Sequence, residues 1–306
     1  MRIIRHWQPP LETGSVLALG NFDGVHRGHQ ALIARLQEVS RVHQVPAIVM
    51  TFEPQPKEWL QGRGTVMRLM TLAQKCAALR HSGIHTVACL RFSSIATLSP
   101  EVFVSEVLVR GFGMRAIVEG SDFRFGAKRA GDIALLQQLG REKGFDVITV
   151  PDCTDAGERV SSSHIRDVLR MGQLANAARL LGRPYTMRGC VVHGDQRGRT
   201  LGFPTANIRV RPWAMPISGI MAVRVSGAGL VRHPGVASLG IRPMFENPVP
   251  LLEVHLFDVD MDLYGQVLSV ELCHKLRDEM KFDSLAALVT HMQEDARLAR
   301  EFLSIA

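Results

Sequence analysis

From residue 15 to about residue 180, short runs of successive apolar residues alternate with stretches that are apolar on only one helical face. The runs are Val16–Gly20, Ala47–Phe52, Thr86–Phe92, Arg115–Glu119 and Asp146–Pro151. They are rich in Val and Ile, as expected of strands buried on both faces. Between them Leu32, Ile33, Leu36 and Val39 recur at helical spacing, as do Leu72, Cys76 and Leu79. Val102, Phe103, Val107 and Leu108 mark a third helix, and Ile133, Leu135, Leu136 and Leu139 a fourth. Strand–helix alternation of this kind predicts an α/β domain built on a parallel sheet with helices on both faces.

After Gly182-Arg183-Pro184 the period changes. Tyr185–His193, Gly219–Val225, Pro234–Leu239, Leu251–Asp258 and Gln266–Cys273 read as strands separated by Gly, Pro and Asp turns, with no long helix between them. This predicts a small antiparallel β-barrel or sandwich. A closing helix follows, with Leu285, Leu288, Val289, Met292, Ala296 and Ala299 on one face. The expected division is therefore 1–182 and 183–306. No internal repeat or low-complexity segment interrupts either part.

Composition narrows the class without naming it. The 306 residues are 46% hydrophobic and 21% charged, close to ordinary globular usage, which disfavours disorder and coiled coil. No stretch approaches the ~18–20 apolar residues of a membrane helix, and the N-terminus lacks the apolar core of a secretory leader. The five cysteines include no CxxC pair, which excludes a zinc ribbon and argues against a disulfide framework. A cytoplasmic protein without membrane association is expected. The net charge of +7 admits an anionic partner. Aromatic residues are only 6% and no zinc-finger or RNA-recognition pattern occurs, which disfavours a dedicated nucleic-acid binder.

The chemistry concentrates first in Gly20-Asn-Phe-Asp-Gly-Val-His-Arg-Gly-His29, directly between the first buried strand and the first helix. Ligands of open α/β sheets bind at such carboxyl ends of strands. Gly24 and Gly28 allow backbone to approach a phosphate, and a helix N-terminus offers it N–H groups. His26 and His29, three apart, project to the same side of the helix start. There they can donate to phosphate oxygens as negative charge develops. A zinc pair lacks a third ligand at suitable spacing.

This HxGH element resembles that of the nucleotidyltransferase superfamily. Asn21-Phe-Asp-Gly-Val-His26 is similar to the opening signature of the bacterial bifunctional riboflavin kinase/FAD synthetase family. Thr51-Phe-Glu-Pro-Gln-Pro56, Glu119-Gly-Ser-Asp-Phe-Arg-Phe-Gly126 and Val160-Ser-Ser-Ser-His-Ile-Arg166 follow in the family's order. The resemblance implies a Rossmann-like nucleotidyltransferase domain in which FMN attacks the α-phosphorus of ATP and pyrophosphate leaves. It implies charge stabilisation by His26, His29 and Arg166. Gly20, Asn21, Phe22, Asp23, Gly24, Gly28, Ser161, Ser162 and Ser163 would bind nucleotide phosphate. Phe52, Pro54, Asp122, Phe123 and Phe125 would hold the flavin. From the residues alone, one of the three serines also reads as an N-cap before Ile165, Val168 and Leu169. Asp122, Phe123 and Phe125 read equally as a turn acid and core aromatics. Arg124 and Arg129 are expected to be surface charges.

A second cluster is Gly198-Arg-Thr-Leu-Gly-Phe-Pro-Thr-Ala-Asn207, in which Thr205 and Asn207 offer hard oxygen ligands suited to Mg²⁺. From spacing alone it also fits an ordinary asparagine turn. Leu251-Leu-Glu-Val-His-Leu-Phe257 alternates, which puts Leu252, Val254 and Leu256 toward a core and Glu253 and His255 on the opposite face. Here the same family resemblance assigns Thr205 and Asn207 to the metal of a riboflavin kinase and Glu253 to its general base. It assigns Gly198 and Gly202 to the nucleotide and Arg277 to the flavin. Leu263-Tyr-Gly265 and Lys275–Phe282 also resemble the family's later motifs. Five residues depart from its usual pattern. Gln55 stands for histidine, which bears on the role of that one side chain, whereas Met221 for tyrosine, Ser238 for asparagine, and Ile241 and Met244 for threonines bear on flavin affinity or selectivity in the kinase half.

The expected substrates are ATP, riboflavin and FMN, with Mg²⁺ as cofactor, in a monomer or weak homo-oligomer. An FAD synthetase whose kinase-like barrel binds flavin without turnover is the alternative. From another class, a basic barrel protein that binds nucleic acid would show no turnover and salt-sensitive RNA binding.

Overall fold

The computed structural model describes the chain apart from residues 9, 10, 12, 63, 195–197, 199, 200, 211–215, 242–249 and 306, and the side chains of 241 and 250. The described residues form two compact units. One comprises Met1–Val66 with Thr71–Ser161, the other Met67–Met70 with Ser162–Ala306.

The first unit is built on a six-stranded sheet whose strands all run parallel. In chain order its elements are β1 (Arg2–Ile4), β2 (Ser15–Leu19), α1 (Arg27–His43), β3 (Ala47–Phe52), α2 (Pro56–Gln61), α3 (Leu72–His81), β4 (Thr86–Leu90), α4 (Pro100–Val102), β5 (Met114–Gly120), α5 (Ile133–Lys143) and β6 (Asp146–Val150). The α4 turn runs on into a wider helical segment, Phe103–Gly111. Spatial order is β1-β4-β3-β2-β5-β6. The chain thus builds outward from β2 through β3 to one side and through β5 to the other. That reversal opens a crevice outside the carboxyl ends of β2 and β5. The core is what the continuous apolar runs foretell: Val16, Leu17, Ala18, Val49, Met50, Val87, Ala88, Leu90, Ile117 and Val118 are all fully buried. A two-stranded hairpin, β7 (Thr154–Asp155) and β8 (Glu158–Arg159), follows β6.

The second unit begins with α6 (Ser162–Arg170) and α7 (Leu174–Leu181). Strands β9 (Thr186–Val192), β10 (Ala206–Arg209), β11 (Gly219–Gly227), β12 (Leu230–Ile241), β13 (Pro250–Leu256) and β14 (Val267–Arg277) then close a barrel in the order β10-β13-β12-β11-β14-β9. All its pairings are antiparallel. Ile208, Met221, Val223, Val225, Leu239, Leu252, Val254, Leu268 and Val270 are inaccessible to solvent. The alternation expected along β13 is present, since Leu252, Val254 and Leu256 are buried and Glu253 and His255 are not. Outside the barrel, α8 (Leu285–Phe302) is capped by Ser284, whose hydroxyl accepts the Ala287 N–H at 3.1 Å. It packs through Ala299, with Leu303 just beyond its end, against Ala222, Val236 and Phe257. The barrel and its closing helix are therefore as the periodicity predicts.

Candidate active sites

In the first unit the stretch from Gly20 to His29 is a turn held at the carboxyl end of β2. The Gly20 N–H donates to the Met50 carbonyl at 3.0 Å, anchoring the turn to β3. Phe22, Gly24 and Val25 adopt left-handed φ of 46°, 86° and 41°. For Phe and for a β-branched Val this costs on the order of 1–3 kcal/mol each, so the surrounding packing must enforce it. It does: Phe22 and Val25 are each 1% exposed.

His26 is the N-cap of α1, and its Nδ1 accepts the His29 N–H at 3.4 Å. A neutral ring accepting at Nδ1 carries its proton on Nε2, which makes Nε2 a donor. The two imidazoles stack with centroids 3.6 Å apart and planes 20° apart, and the Phe22 ring lies 4.9 Å from His29. The expected projection of both histidines to one side of the helix start is thus present. Gly28 leaves the His26 ring its place: a Cβ there would lie 3.2 Å from its Cε1 and Nδ1, so the ring would have to give by a few tenths of an ångström.

Across the crevice, the last register pair of β2 with β5 is Leu17–Ile117. Beyond it the Glu119 carboxylate takes over, accepting the Leu19 N–H at 2.6 Å. Burial pushes this carboxyl well above its usual range, and the charge of Asp122 adds to the effect. Neither Glu119 nor the fully buried Lys75 was a sequence candidate. A glutamate ending an otherwise apolar strand, and a lysine three residues after Leu72 and four before Leu79 on one helix face, were the available signals.

The loop after β5 divides its residues. Phe125 is 6% exposed and belongs to the core, and Phe123 stacks on it at 5.6 Å. Asp122 is exposed and pairs with Arg159 at 2.7 Å, whose hydrogen bond holds the carboxyl below its usual range. Arg124 is a surface charge paired with Asp132 at 3.3 Å, and Arg129 is exposed as well. Phe52 is core, edge-on to Phe92 at 5.7 Å, and half-buried Pro54 follows it. Gln55 is buried at the N-cap of α2, its backbone N–H donating to Glu58 at 3.0 Å.

In the second unit α6 starts at Ser162, so Ser161 holds the position before the helix. Ser162 is half-buried and Ser163 exposed. Arg166 is the fifth residue of α6, at the start of its second turn rather than in the first, and its Nε donates to the Met67 carbonyl at 2.5 Å.

The barrel carries a cavity of about 280 Å³ on its outer face, floored by β10 to β14 and roofed by α8. Thr205, Asn207, Ser238, Glu253, Arg277 and Glu279 belong to its polar lining, with Phe203, Ile220, Phe282 and Met292 among its apolar walls. Asn207 is 5% exposed, and its Oδ1 has no hydrogen-bond partner among the described residues. An orphaned buried carbonyl oxygen beside a threonine hydroxyl is a donor set that fits a hard cation. Gly194 makes room for that amide, since a Cβ there would fall 2.6 Å from Asn207 Cγ. Gly198 closes a tight turn in which its carbonyl accepts the N–H groups of Leu201 and Phe203, and Gly202 takes φ of 80°. Arg277 is engaged by Asp295 of α8 through two hydrogen bonds of 2.8 and 2.6 Å. Glu279 has its carboxyl raised by burial and by the charge of Glu253. A second cavity of about 530 Å³ is lined by Pro204, Thr205, Asp260, Asp262 and Tyr264 among others, and Thr205 lines both.

Of the five departures, Ser238 lines the first cavity, whereas Met221 is fully buried in the barrel. The Ile241 side chain and Met244 lie outside the described residues.

Residues 8–164 match the FAD synthetase family and residues 181–303 the riboflavin kinase family. A bifunctional riboflavin kinase/FMN adenylyltransferase of Escherichia coli (strain K12) is 45% identical over 299 residues, covering 97% of this chain and 95% of that protein. The chain belongs to the bifunctional riboflavin kinase/FMN adenylyltransferase family. Another member, from Pseudomonas fluorescens, is 41% identical over 98% of this chain and 97% of its own. A solved structure described as a macrolide-efflux protein from Streptococcus pneumoniae superposes with a TM-score of 0.86 at 31% identity, covering 97% of this chain and 98% of its own. The transport in that description is said of that protein. No described helix of this bifunctional kinase/adenylyltransferase is long and apolar enough to cross a membrane.

Proposed function

We propose that the barrel unit phosphorylates riboflavin to FMN with ATP, and that the histidine turn of the parallel-sheet unit carries the adenylation of FMN to FAD with release of pyrophosphate. The observation that supports the kinase half is that Thr205 lines two adjoining cavities, one of which also holds Asn207 and Glu253. The largely apolar cavity under α8 suits the isoalloxazine rings, and the polar one beyond Thr205 suits the nucleotide. Glu253 takes the proton from the ribityl hydroxyl as it attacks the γ-phosphorus, and the bond from that phosphorus to the bridging oxygen breaks with ADP leaving. Thr205 and Asn207 would hold Mg²⁺, which would neutralise charge on the nucleotide phosphates. Arg277, fixed by Asp295, shapes the flavin wall.

Adenylation needs no protein nucleophile. The FMN phosphate oxygen attacks the α-phosphorus, and the bond to the β-phosphate oxygen breaks. His26, through Nε2–H, and His29 donate to the phosphate oxygens on which charge accumulates. The backbone of Gly20–Gly24 and Gly28 offers the phosphates a close approach. Arg166 and Ser161–Ser163 are assigned to phosphate binding, and Phe52, Pro54, Asp122, Phe123 and Phe125 to flavin, by the family resemblance. The five free thiols, Cys76, Cys89, Cys153, Cys190 and Cys273, support a reducing cytoplasm as the site of action.

The test is incubation with riboflavin, ATP and Mg²⁺, with FMN and FAD resolved chromatographically. Both products are expected in sequence. FAD appearing only when FMN is supplied would leave the barrel a flavin-binding module.

A further inference from the structure

Beneath the histidine turn runs a buried polar relay that the two reactions leave unexplained. Lys75 on α3 is 1% exposed, and its Nζ donates to Thr51 Oγ1 at 3.2 Å. Thr51, the penultimate residue of β3, is itself fully buried. Its hydroxyl donates to the Asn21 carbonyl at 3.3 Å. An ammonium taken from water costs several kcal/mol unless hydrogen bonds offset the loss, and the bond to Thr51 is one that does so here. The direction of the relay follows from chemistry. The Asn21 carbonyl only accepts, so Thr51 Oγ1 turns its proton toward Asn21 and accepts from Lys75 Nζ.

Asn21 is a sensitive point. It immediately precedes Phe22, the first of the left-handed residues in the turn, and the Phe22 ring lies 4.9 Å from His29. Rotation of the Asn21 peptide would therefore change both the backbone presented to a phosphate and the support of His29. Apart from the Gly20 N–H bond to Met50, this is a second tie between the turn and β3.

We infer that Lys75 is a positioning residue for adenylyl transfer, holding the Asn21–His29 turn in its working conformation through the Thr51 hydroxyl. The inference rests on the assignment of adenylation to that turn. Misplacement of a catalytic group by about 1 Å can cost on the order of 100-fold in rate, so a relay of this kind acts on kcat more than on KM.

Thr51→Val keeps the shape and removes the hydroxyl, and Lys75→Met keeps the length and removes the charge. Each should lower kcat for FAD formation by about tenfold or more with KM for FMN changed less than about threefold, while riboflavin phosphorylation is unchanged. The double variant should be no worse than the poorer single one, as for partners in one chain of interactions. Thr51→Ser, which restores the hydroxyl, should return kcat to within about threefold of the parent. Full FAD synthesis by Thr51→Val overturns the inference, and so does a Thr51→Ser as slow as the valine variant, which would mean packing alone is at work. If Lys75→Met does not fold, the Thr51 pair decides. His29→Ala separates the two levels. Loss of FAD formation in it alongside a fully active Thr51→Val defeats the relay alone, whereas an active His29→Ala defeats the assignment of the site and the relay with it.

Discussion

Glu253 and Glu119 show how one residue type acquires opposite duties from its surroundings. Glu253 stands half-buried on the outer face of β13 beside Asn207 and Thr205, with room for a substrate hydroxyl. Glu253→Gln keeps the shape and discards the base, so FMN formation should fall by about 10²–10⁴-fold with riboflavin binding retained. A variant that phosphorylates at the parental rate would make this residue a bystander, and stopped assays with a flavin-binding titration distinguish the outcomes. Glu119 is enclosed, and its carboxyl is raised well above 4.5 by burial. Its folded form therefore keeps a proton that the unfolded chain releases. Its contribution is fully present below about pH 4.5 and is lost as pH rises through the folded value. Glu119→Gln retains an acceptor for the Leu19 N–H and cannot ionise. The variant should gain thermal stability over the parent at pH 7.5 by a few degrees, with little gain at pH 4. Equal differences at the two values would show that Glu119 ionises as an ordinary surface carboxylate does.

The start of α1 is the element on which adenylation depends, and it trades helix stability for geometry. Glycine near a helix start is conformationally costly, yet Gly28 leaves the His26 ring its place. Gly28→Ala should hold or raise the melting temperature, since alanine favours a helix by about 1 kcal/mol, while FAD formation drops about tenfold through displacement of the imidazole. Stability and activity moving together would contradict this account. The elements themselves were legible to the extent that their apolar period was long. The runs at Val16–Gly20 and Ala47–Phe52 and the alternation of β13 gave strands close to their true bounds. β1 and β10 offer only three and four residues, too few to show a period, and Pro-Thr-Ala-Asn reads as a turn although Ala206 already pairs with Val254. The histidine pair was legible because glycine spacing and a helix start occur together there. The Lys75–Thr51 relay was not, because neither residue type announces burial and their contact joins positions 24 residues apart.

At the scale of the whole chain, the change of period near Arg183 and the packing mark two different places. The family matches end at 164 and resume at 181, and between them α6 and α7 pack with the barrel as part of the second compact unit. Leu174, Ala177, Leu180 and Leu181 are buried on α7, and a Cβ on Gly172 would meet the Lys275 side chain of β14. We propose that the two activities separate onto the two halves. Two cuts test this, one before Ser162 and one before Arg183. The fragment from Arg183 contains Thr205, Asn207, Glu253 and α8, and so should make FMN. It exposes the surface that α7 covers, at roughly 25 cal/mol per Å² of apolar area, so it should melt below the fragment that begins at Ser162. The fragment ending at 182 carries His26, His29 and Arg166, and should make FAD from supplied FMN. The one ending at 161 lacks Arg166 and should be slower if that cation serves the leaving phosphates. Purified fragments, their folds checked by circular dichroism, are assayed separately and after mixing. A folded Ser162 fragment that makes no FMN until the N-terminal piece is restored would defeat the division into two modules.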